Sequence, residues 1–364
     1  MIFEAAVIAM VVGVQDAKSQ ITWTDGHQLQ VEGQAWSDTK SPWDRFPSKA
    51  EGVVRDHVWN LSSQSAGILL KFKTDAAEVH ARWTLTSDRL ALPHMPATGV
   101  SSVDLYVHDG TRWRWAHTPK PSEKVNETRL VRGMDPVMRD WMLYLPLYNG
   151  VESISIGVPD GSVIEPMPDR PAGELPILFY GTSITQGGCA SRPGMCHVAI
   201  VGRTLNREVI NLGFSGNGTM DIEIADLMAE IDAAIYVIDC LPNLQADRVR
   251  ERAVPLVKRL RSLRPDTPIL LVEDRTYSDA HVNKGRATRN AKSRAALQEA
   301  MHTLHEEGLS DIYYLEGDRL LAPDGESTVD GSHPTDLGFR QQADAFIEVL
   351  QPILSRPVVS NEGS

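Results

Sequence analysis

The chain has little cysteine: three in 364 residues, Cys189, Cys196 and Cys240. That excludes a disulfide-built scaffold, and three thiols in an otherwise ordinary composition read best as buried free side chains. Long apolar runs are missing as well. No stretch approaches the roughly 18 to 20 apolar residues that span a bilayer as a helix. Positive charge is in deficit, with 36 Lys and Arg against 48 Asp and Glu and a formal net charge of -12. A phosphate backbone needs clustered Lys and Arg, so no nucleic-acid partner is expected. Tryptophan is absent from the second half: all eight, from Trp23 to Trp141, lie before residue 150. There is no internal repeat and no low-complexity tract.

What is present is the material of a soluble two-domain protein, 42% hydrophobic and 23% charged. From residue 21 to 164 the pattern is β. Val79, Ala81, Trp83 and Leu85 alternate with Glu78, His80, Arg82 and Thr84, the period of a half-buried strand. Val103 to Val107 and Arg112 to Trp115 flank a turn at His108-Asp-Gly-Thr111. Short strands at this spacing predict a β-sandwich of jelly-roll type. Trp83, and at least one of Trp113 and Trp115, are expected in its core; exposed indole faces would instead suit a sugar platform. Residues 165–174, with three prolines in ten positions, read as a linker between separate domains.

From 175 to 355 the pattern becomes βαβ. Strands are expected at Ile177–Tyr180, Val209–Leu212, Ala234–Ile238, Ile269–Val272 and Ile312–Leu315. Helices are expected at Pro193–Leu205, Met220–Ile231, Val249–Leu263, Ala287–Glu306 and Leu337–Leu350. Five strands alternating with helices imply a doubly wound parallel sheet, a three-layer α/β/α domain. Residues 356–364 read as a disordered tail. Residues 1–20 read as a degraded or mis-started export signal: Ala5 to Val14 is apolar, but Glu4 precedes it without Lys or Arg, and Ala17 is the best cleavage candidate. That places the protein in the periplasm or outside the cell, with the cytoplasm as the alternative.

The chemistry centres on Ile177-Leu-Phe-Tyr-Gly-Thr-Ser183-Ile-Thr-Gln-Gly-Gly188. A serine just past the carboxyl end of a parallel strand sits where open α/β sheets place their ligands. A nucleophilic serine needs a base in hydrogen-bond reach, and the base needs a group to fix its tautomer. Asp330-Gly-Ser-His333 can deliver both from one short turn.

With these two stretches in view, the chain resembles the SGNH (GDSL-type) hydrolases. Gly181-Thr-Ser183 matches the first block, with Thr182 where the family usually has Asp. Asn211-Leu-Gly-Phe-Ser-Gly216-Asn-Gly218 matches the second, Leu241-Pro-Asn243 the third, and Asp330-x-x-His333 the last. Val103-Asp104-Leu105-Tyr106 is similar to the Asp-Leu-Tyr signature of the β domain that precedes one branch of these esterases. Ser102 stands there in place of Gly.

The resemblance implies a serine esterase with Ser183 as nucleophile, His333 as base and Asp330 as its orienting acid. It implies an oxyanion hole from the N–H groups of Ser183 and Gly216 and the side-chain amide of Asn243. Gly216 is expected to be glycine so that a backbone donor can approach closely, with Gly213 and Gly218 serving the turn. Leu241 and Leu244 depart from the usual flanks of block three. No cofactor or metal is called for. The substrate implied is an acylated carbohydrate or another small ester, the acyl group short and most simply acetyl. The alternatives are a lipase or phospholipid deacylase on the same triad, or a polysaccharide-binding protein without activity. Glu273-Asp-Arg275 reads either as a leaving-group contact or as a solvated ion pair. His302 and His305 with Glu306 read as an exposed helix face rather than metal ligands.

Overall fold

The computed structural model describes residues 20–356. The proposed export signal and the tail beyond Arg356 lie outside the described residues.

The first half folds as two antiparallel sheets around a shared core. One sheet orders the strands Ile21–Asp25, Val151–Pro159, Val79–Leu85 and Val125–Val131. The other runs Ile164–Pro166, Leu69–Thr74, Arg139–Tyr144, Asp104–His108 and Trp113–His117, with Gln30–Glu32 paired to Leu69–Thr74. The inward residues, Trp83, Trp141, Phe72, Leu105, Ile154 and Ile156 among them, make the apolar layer between the sheets. This is the β-sandwich that the period-two pattern predicts. Trp83 is buried as expected. Trp115 is not: it is 52% exposed, and Trp113 on the same strand is only half-buried. Alternation along the strand sends Ala116 to the layer between the sheets and Trp113 and Trp115 to the outer face, which no second sheet covers.

The second half is a five-stranded parallel sheet in the order Val209–Gly213, Ile177–Gly181, Ile235–Asp239, Ile269–Val272, Ile312–Leu315. Every residue of the first four strands is buried, which is why they read as continuous apolar runs. The order 2-1-3-4-5 puts Ile177–Gly181 between the second and third strands, so three carboxyl ends converge at the switch point. Helices His197–Leu205, Ile222–Met228, Ala246–Leu263, Lys284–Glu306 and Asp336–Leu354 cover the two faces. Asn206, in the left-handed conformation (φ 48°), ends the first of them.

The two halves share their cores. Trp36, Phe46, Val54 and Val58 pack with Leu212, Phe214 and Ile224 over one face of the parallel sheet. Met95, Val100 and Leu147 join Phe179, Ile184 and Phe339 on the other. The proline-rich segment is anchored too: Ile164–Pro166 is a strand, and Arg170 donates to Glu32, Glu174 and the Asn206 carbonyl. Glu32, almost fully buried, also accepts from Lys71 at 2.9 Å, so one carboxylate ties two strands and the linker together.

Candidate active site

Ser183, Gly216 and Asn243 follow the first three strands of the parallel sheet, and Asp330 and His333 precede its last helix. The structure brings these residues to one edge of the sheet. Ser183 Oγ and His333 Nε2 are 2.8 Å apart, and His333 Nδ1 is 2.8 Å from Asp330 Oδ2. A carboxylate on Nδ1 selects the tautomer protonated there and leaves the Nε2 lone pair facing the serine hydroxyl.

The turn holding the acid and base is tightly specified. Asp330 Oδ1 accepts from the N–H groups of Ser332 and His333 at 3.0 and 2.8 Å. Gly331 has φ 87°, which a residue with a side chain rarely adopts. Arg286 donates to the Asp330 carbonyl at 2.9 Å. Burial pushes the Asp330 carboxyl up, but the donors from His333 and Ser332 outweigh it and hold it down at about 2.

Around the serine the backbone is pinned by its own carbonyl. Ser183 O accepts from Gly188 N–H at 2.7 Å, Gly187 N–H at 3.0 Å and the Tyr148 hydroxyl at 3.0 Å. The helix expected from Pro193 is preceded by a separate short one, Ser183–Gln186, capped by Thr182 and ended by Gly187 at φ 110°. Thr182, in place of the family's Asp, still accepts from Ile184 N–H at 3.2 Å. Neither the Ser183 nor the Gly216 N–H has an acceptor among the described residues. Free N–H groups at such a place suit a developing oxyanion.

The glycines of the second block divide their work otherwise than expected. Gly216 has φ 68°, and a Cβ there would meet nothing within 4 Å. Backbone conformation, not close approach, demands glycine at this position. Close approach belongs to its neighbours: a Cβ on Gly213 would lie 2.2 Å from Gln186 N, and one on Gly218 would lie 2.0 Å from Gly181 O.

Asn243 lies in the turn Leu241–Asn243. Its amide is satisfied when Oδ1 faces the N–H groups of Asn217 and Gly218, at 3.0 and 3.2 Å, which frees Nδ2 to donate elsewhere. The altered flanks are supported from behind. Arg289 Nη2 donates to the Pro242 carbonyl at 2.6 Å, and its Nη1 pairs with Asp274 at 2.7 Å. Both readings of Glu273-Asp-Arg275 are therefore corrected. All three side chains are buried, so they neither reach a leaving group nor form a solvated pair. Asp274 holds Arg289, Arg275 makes two 2.7 Å bonds to Asp239 at the end of the third strand, and Glu273 accepts from Gly317 N–H and Tyr314.

Several residues behind the site escape sequence reasoning. Gln186 accepts from Ser215 N–H at 3.0 Å and donates to Gln64 and to the Leu147 carbonyl. Thr185 donates to the same Asp239 that Arg275 holds. Arg45 donates to the carbonyls of Asn211, Gly213, Gln64 and Leu61. Their partners are backbone atoms or distant side chains, so no spacing in the sequence signals them. The three cysteines are free and buried, and burial pushes the Cys189 and Cys196 thiols up to about 12. His302 pairs with Glu306 at 3.1 Å on an exposed helix face.

The Asp-Leu-Tyr signature has a structural reading. Buried Asp104 accepts from Arg192 and Gly194 N–H, both at 2.8 Å, and from Trp115 and Thr118. Tyr106 accepts from Arg192. The signature clamps the sandwich to the segment leaving the nucleophile turn.

Comparison with known proteins agrees with this fold. Residues 174–351 match the GDSL-like lipase/acylhydrolase family, and residues 21–164 match the N-terminus of SGNH-hydrolase-type esterases named for the Gly-x-Asp-Leu-Tyr signature. No curated protein matches the chain significantly. Among solved structures, a protein from Bacteroides ovatus assigned as a GDSL-like lipase is 31% identical with a TM-score of 0.88, over 92% of this chain and 98% of that one. A salicylyl-acyltransferase from a tetracycline biosynthetic pathway is 19% identical with a TM-score of 0.73, over 93% and 99%. An acetyl xylan esterase from Butyrivibrio proteoclasticus shares the fold at 11% identity and a TM-score of 0.57, over 92% and 99%. The chain belongs to the GDSL-like lipase/acylhydrolase family, in the branch of SGNH-type carboxylic ester hydrolases that carries the Gly-x-Asp-Leu-Tyr N-terminus.

Proposed function

We propose that the protein is a serine esterase that removes short acyl groups, acetyl above all, from carbohydrate hydroxyls. The observation that carries the reading is the unbroken hydrogen-bonded series Asp330–His333–Ser183, with both contacts at 2.8 Å. Ser183 Oγ attacks the ester carbonyl as its proton passes to His333 Nε2, and Asp330 stabilises the imidazolium. The tetrahedral oxyanion accepts from Ser183 N–H, Gly216 N–H and Asn243 Nδ2. Collapse breaks the bond to the alkoxide, which takes the proton from His333 and leaves as the sugar hydroxyl. Water, deprotonated by the same imidazole, then attacks the acyl-serine, and acetate departs with Ser183 restored.

The acetyl part rests on the surroundings. A pocket of about 410 Å³ beside the oxyanion loop is lined by His57, Asn60, Gln64, Ser215 and Asn217 together with Leu61, Leu92 and Tyr148. The polar groups among them suit sugar hydroxyls, and the two leucines and the tyrosine ring give a short acyl group its apolar contact. Fold relatives described as family two carbohydrate esterases, from Cellvibrio japonicus and Clostridium thermocellum, support the same class. Work on such a glycan places the protein in the periplasm or outside the cell.

The test is kcat/KM on p-nitrophenyl acetate, butyrate and octanoate, with acetate release from acetylated xylan and the Ser183→Ala protein as control. Each methylene left in water forgoes about 0.8 kcal/mol of burial, so activity should fall as the acyl chain lengthens. Preference for octanoate would replace this reading with the lipase one. No turnover of any ester would leave a binding protein.

A further inference from the structure

A large concavity lies away from the triad. It is a groove of about 1190 Å³ between the edge strand Trp113–His117 and the helix His197–Leu205. Its character is at odds with the chain as a whole. On a protein of net charge -12 it gathers Arg112, Arg114, Arg192 and Arg203 around Trp113 and Trp115. Arg112 and Arg203 have no carboxylate partner among the described residues, and Arg114 reaches Asp109 only at 3.5 Å. Three carboxylates also line the groove, but Glu174 is held by Arg170 and Asp140 lies 3.8 Å from Lys73, leaving Asp169. Clustered cations in a cleft focus a positive field even where the net charge is negative.

Trp115 supplies the second feature. The residue is 52% exposed, yet its ring is not free to turn: Nε1 donates to Asp104 at 3.1 Å and to Thr118 at 3.0 Å. The Arg192 guanidinium lies over the ring, 5.4 Å from its centroid. An exposed indole fixed at its polar edge has already lost the rotamer freedom that a ligand would otherwise have to remove. Its open surface matches the apolar face of a pyranose, and the arginines beside it match an anion.

We propose that this groove is a second, non-catalytic carbohydrate site for a pyranose bearing an acid group, a uronate carboxylate or a sulfate ester. The sugar ring stacks on Trp115, and its acid group sits against Arg112, which lines the same groove. The site belongs to the sandwich edge, and its test reads binding rather than turnover, so it stands or falls apart from the esterase reading.

The experiment is titration calorimetry on the full chain with three probes: xylotriose carrying one methylglucuronate, xylotriose sulfate, and neutral xylotriose. At least one acidic probe should bind tenfold or more tighter than the neutral one, with affinity falling as salt rises. The probe that binds distinguishes carboxylate from sulfate. Arg112→Glu, at an exposed position, and Trp115→Ala should each lower that affinity at least tenfold while kcat/KM on p-nitrophenyl acetate stays unchanged. Equal affinity for the acidic and neutral probes, no binding of either acidic probe, or an Arg112→Glu protein that binds like the wild type would each overturn the proposal.

Discussion

Arg45 Nη1 lies 2.7 Å from the carbonyl oxygen of Gly213. The arginine comes from the first half of the chain, and Gly213 ends the strand from which the Gly216 loop hangs. Three further carbonyls, of Asn211, Gln64 and Leu61, accept from the same guanidinium, which is 2% exposed and stacks 4.8 Å from the centre of the Phe214 ring. Burial pulls its pKa down, but a guanidinium starts high enough to stay charged at neutral pH. Arg45→Met should strand four acceptors, two of them buried, and cost about 3 kcal/mol, read by chemical denaturation. It should also lower kcat at least tenfold, since the oxyanion loop loses its brace. Lost stability with unchanged kcat would reduce Arg45 to a strut between the halves.

Ser183 and His333 are expected to act as one unit. Either Ser183→Ala or His333→Ala should lower kcat by orders of magnitude, and the double variant should be hardly worse than either alone. Asp330→Asn should cost no more than these. Multiplying losses in the double variant, or a Ser183→Ala protein of near-wild-type activity, would refute the assignment.

Asn243 invites a two-way test, because its two amide atoms face different tasks. Oδ1 accepts from the Asn217 and Gly218 N–H groups, and Nδ2 is the proposed oxyanion donor. Asn243→Ala should lose about a hundredfold in kcat with little change in KM. Asn243→Asp keeps the acceptor and removes the donor, so it should hold the thermal stability of the wild type yet lose as much kcat as the alanine variant. A raised KM at constant kcat would make the residue a substrate contact instead.

These residues were legible in sequence for a physical reason. Catalytic groups ride on strand ends and tight turns, and those turns constrain spacing: Asp330 and His333 three apart, Ser183 two past its strand. Period two and buried apolar runs marked both sheets, and all five parallel strands fall within a residue of their expected bounds. What stayed hidden depends on contacts far apart in the chain. Arg45 reaches Gly213 across 168 positions, and Arg275 reaches Asp239 across 36. A buried cation facing carbonyls leaves no periodic trace. The glycine roles were exchanged for a similar reason: composition marks a turn but cannot tell a left-handed φ at Gly216 from a backbone approach at Gly213.

Asp330 sets a pH expectation. Its carboxyl is held at about 2, below the ordinary value near 3.9 for an unfolded chain. A depressed carboxylate contributes stability that is fully present above the unfolded value and is lost as pH falls through the folded one. The stability difference between wild type and Asp330→Asn should therefore be flat above about pH 5 and narrow only between about pH 4 and pH 2. The side chain is nearly half exposed, so the amplitude will be small. Narrowing already between pH 7 and 5 would mean that the carboxyl is not held down as the geometry implies.

The shared cores make a prediction about the boundary between the halves. A chain beginning at Ala172 would keep the whole parallel sheet and every proposed catalytic residue. It would lose Trp36, Phe46, Val54 and Val58 from one face, and Met95, Val100 and Leu147 from the other. Covering each large apolar side chain contributes about 1.5 to 3 kcal/mol, so uncovering their partners costs an amount comparable to the 5 to 15 kcal/mol by which a typical domain is stable. The Gly213 carbonyl loses Arg45, and Gln186 loses Gln64. The truncated protein should not unfold cooperatively, and it should bind a hydrophobic dye at neutral pH where the full chain does not. Because it contains no tryptophan, far-ultraviolet circular dichroism and amide exchange are the readouts. Cooperative melting with turnover of p-nitrophenyl acetate would show that the parallel sheet folds alone and that the sandwich only rests on it.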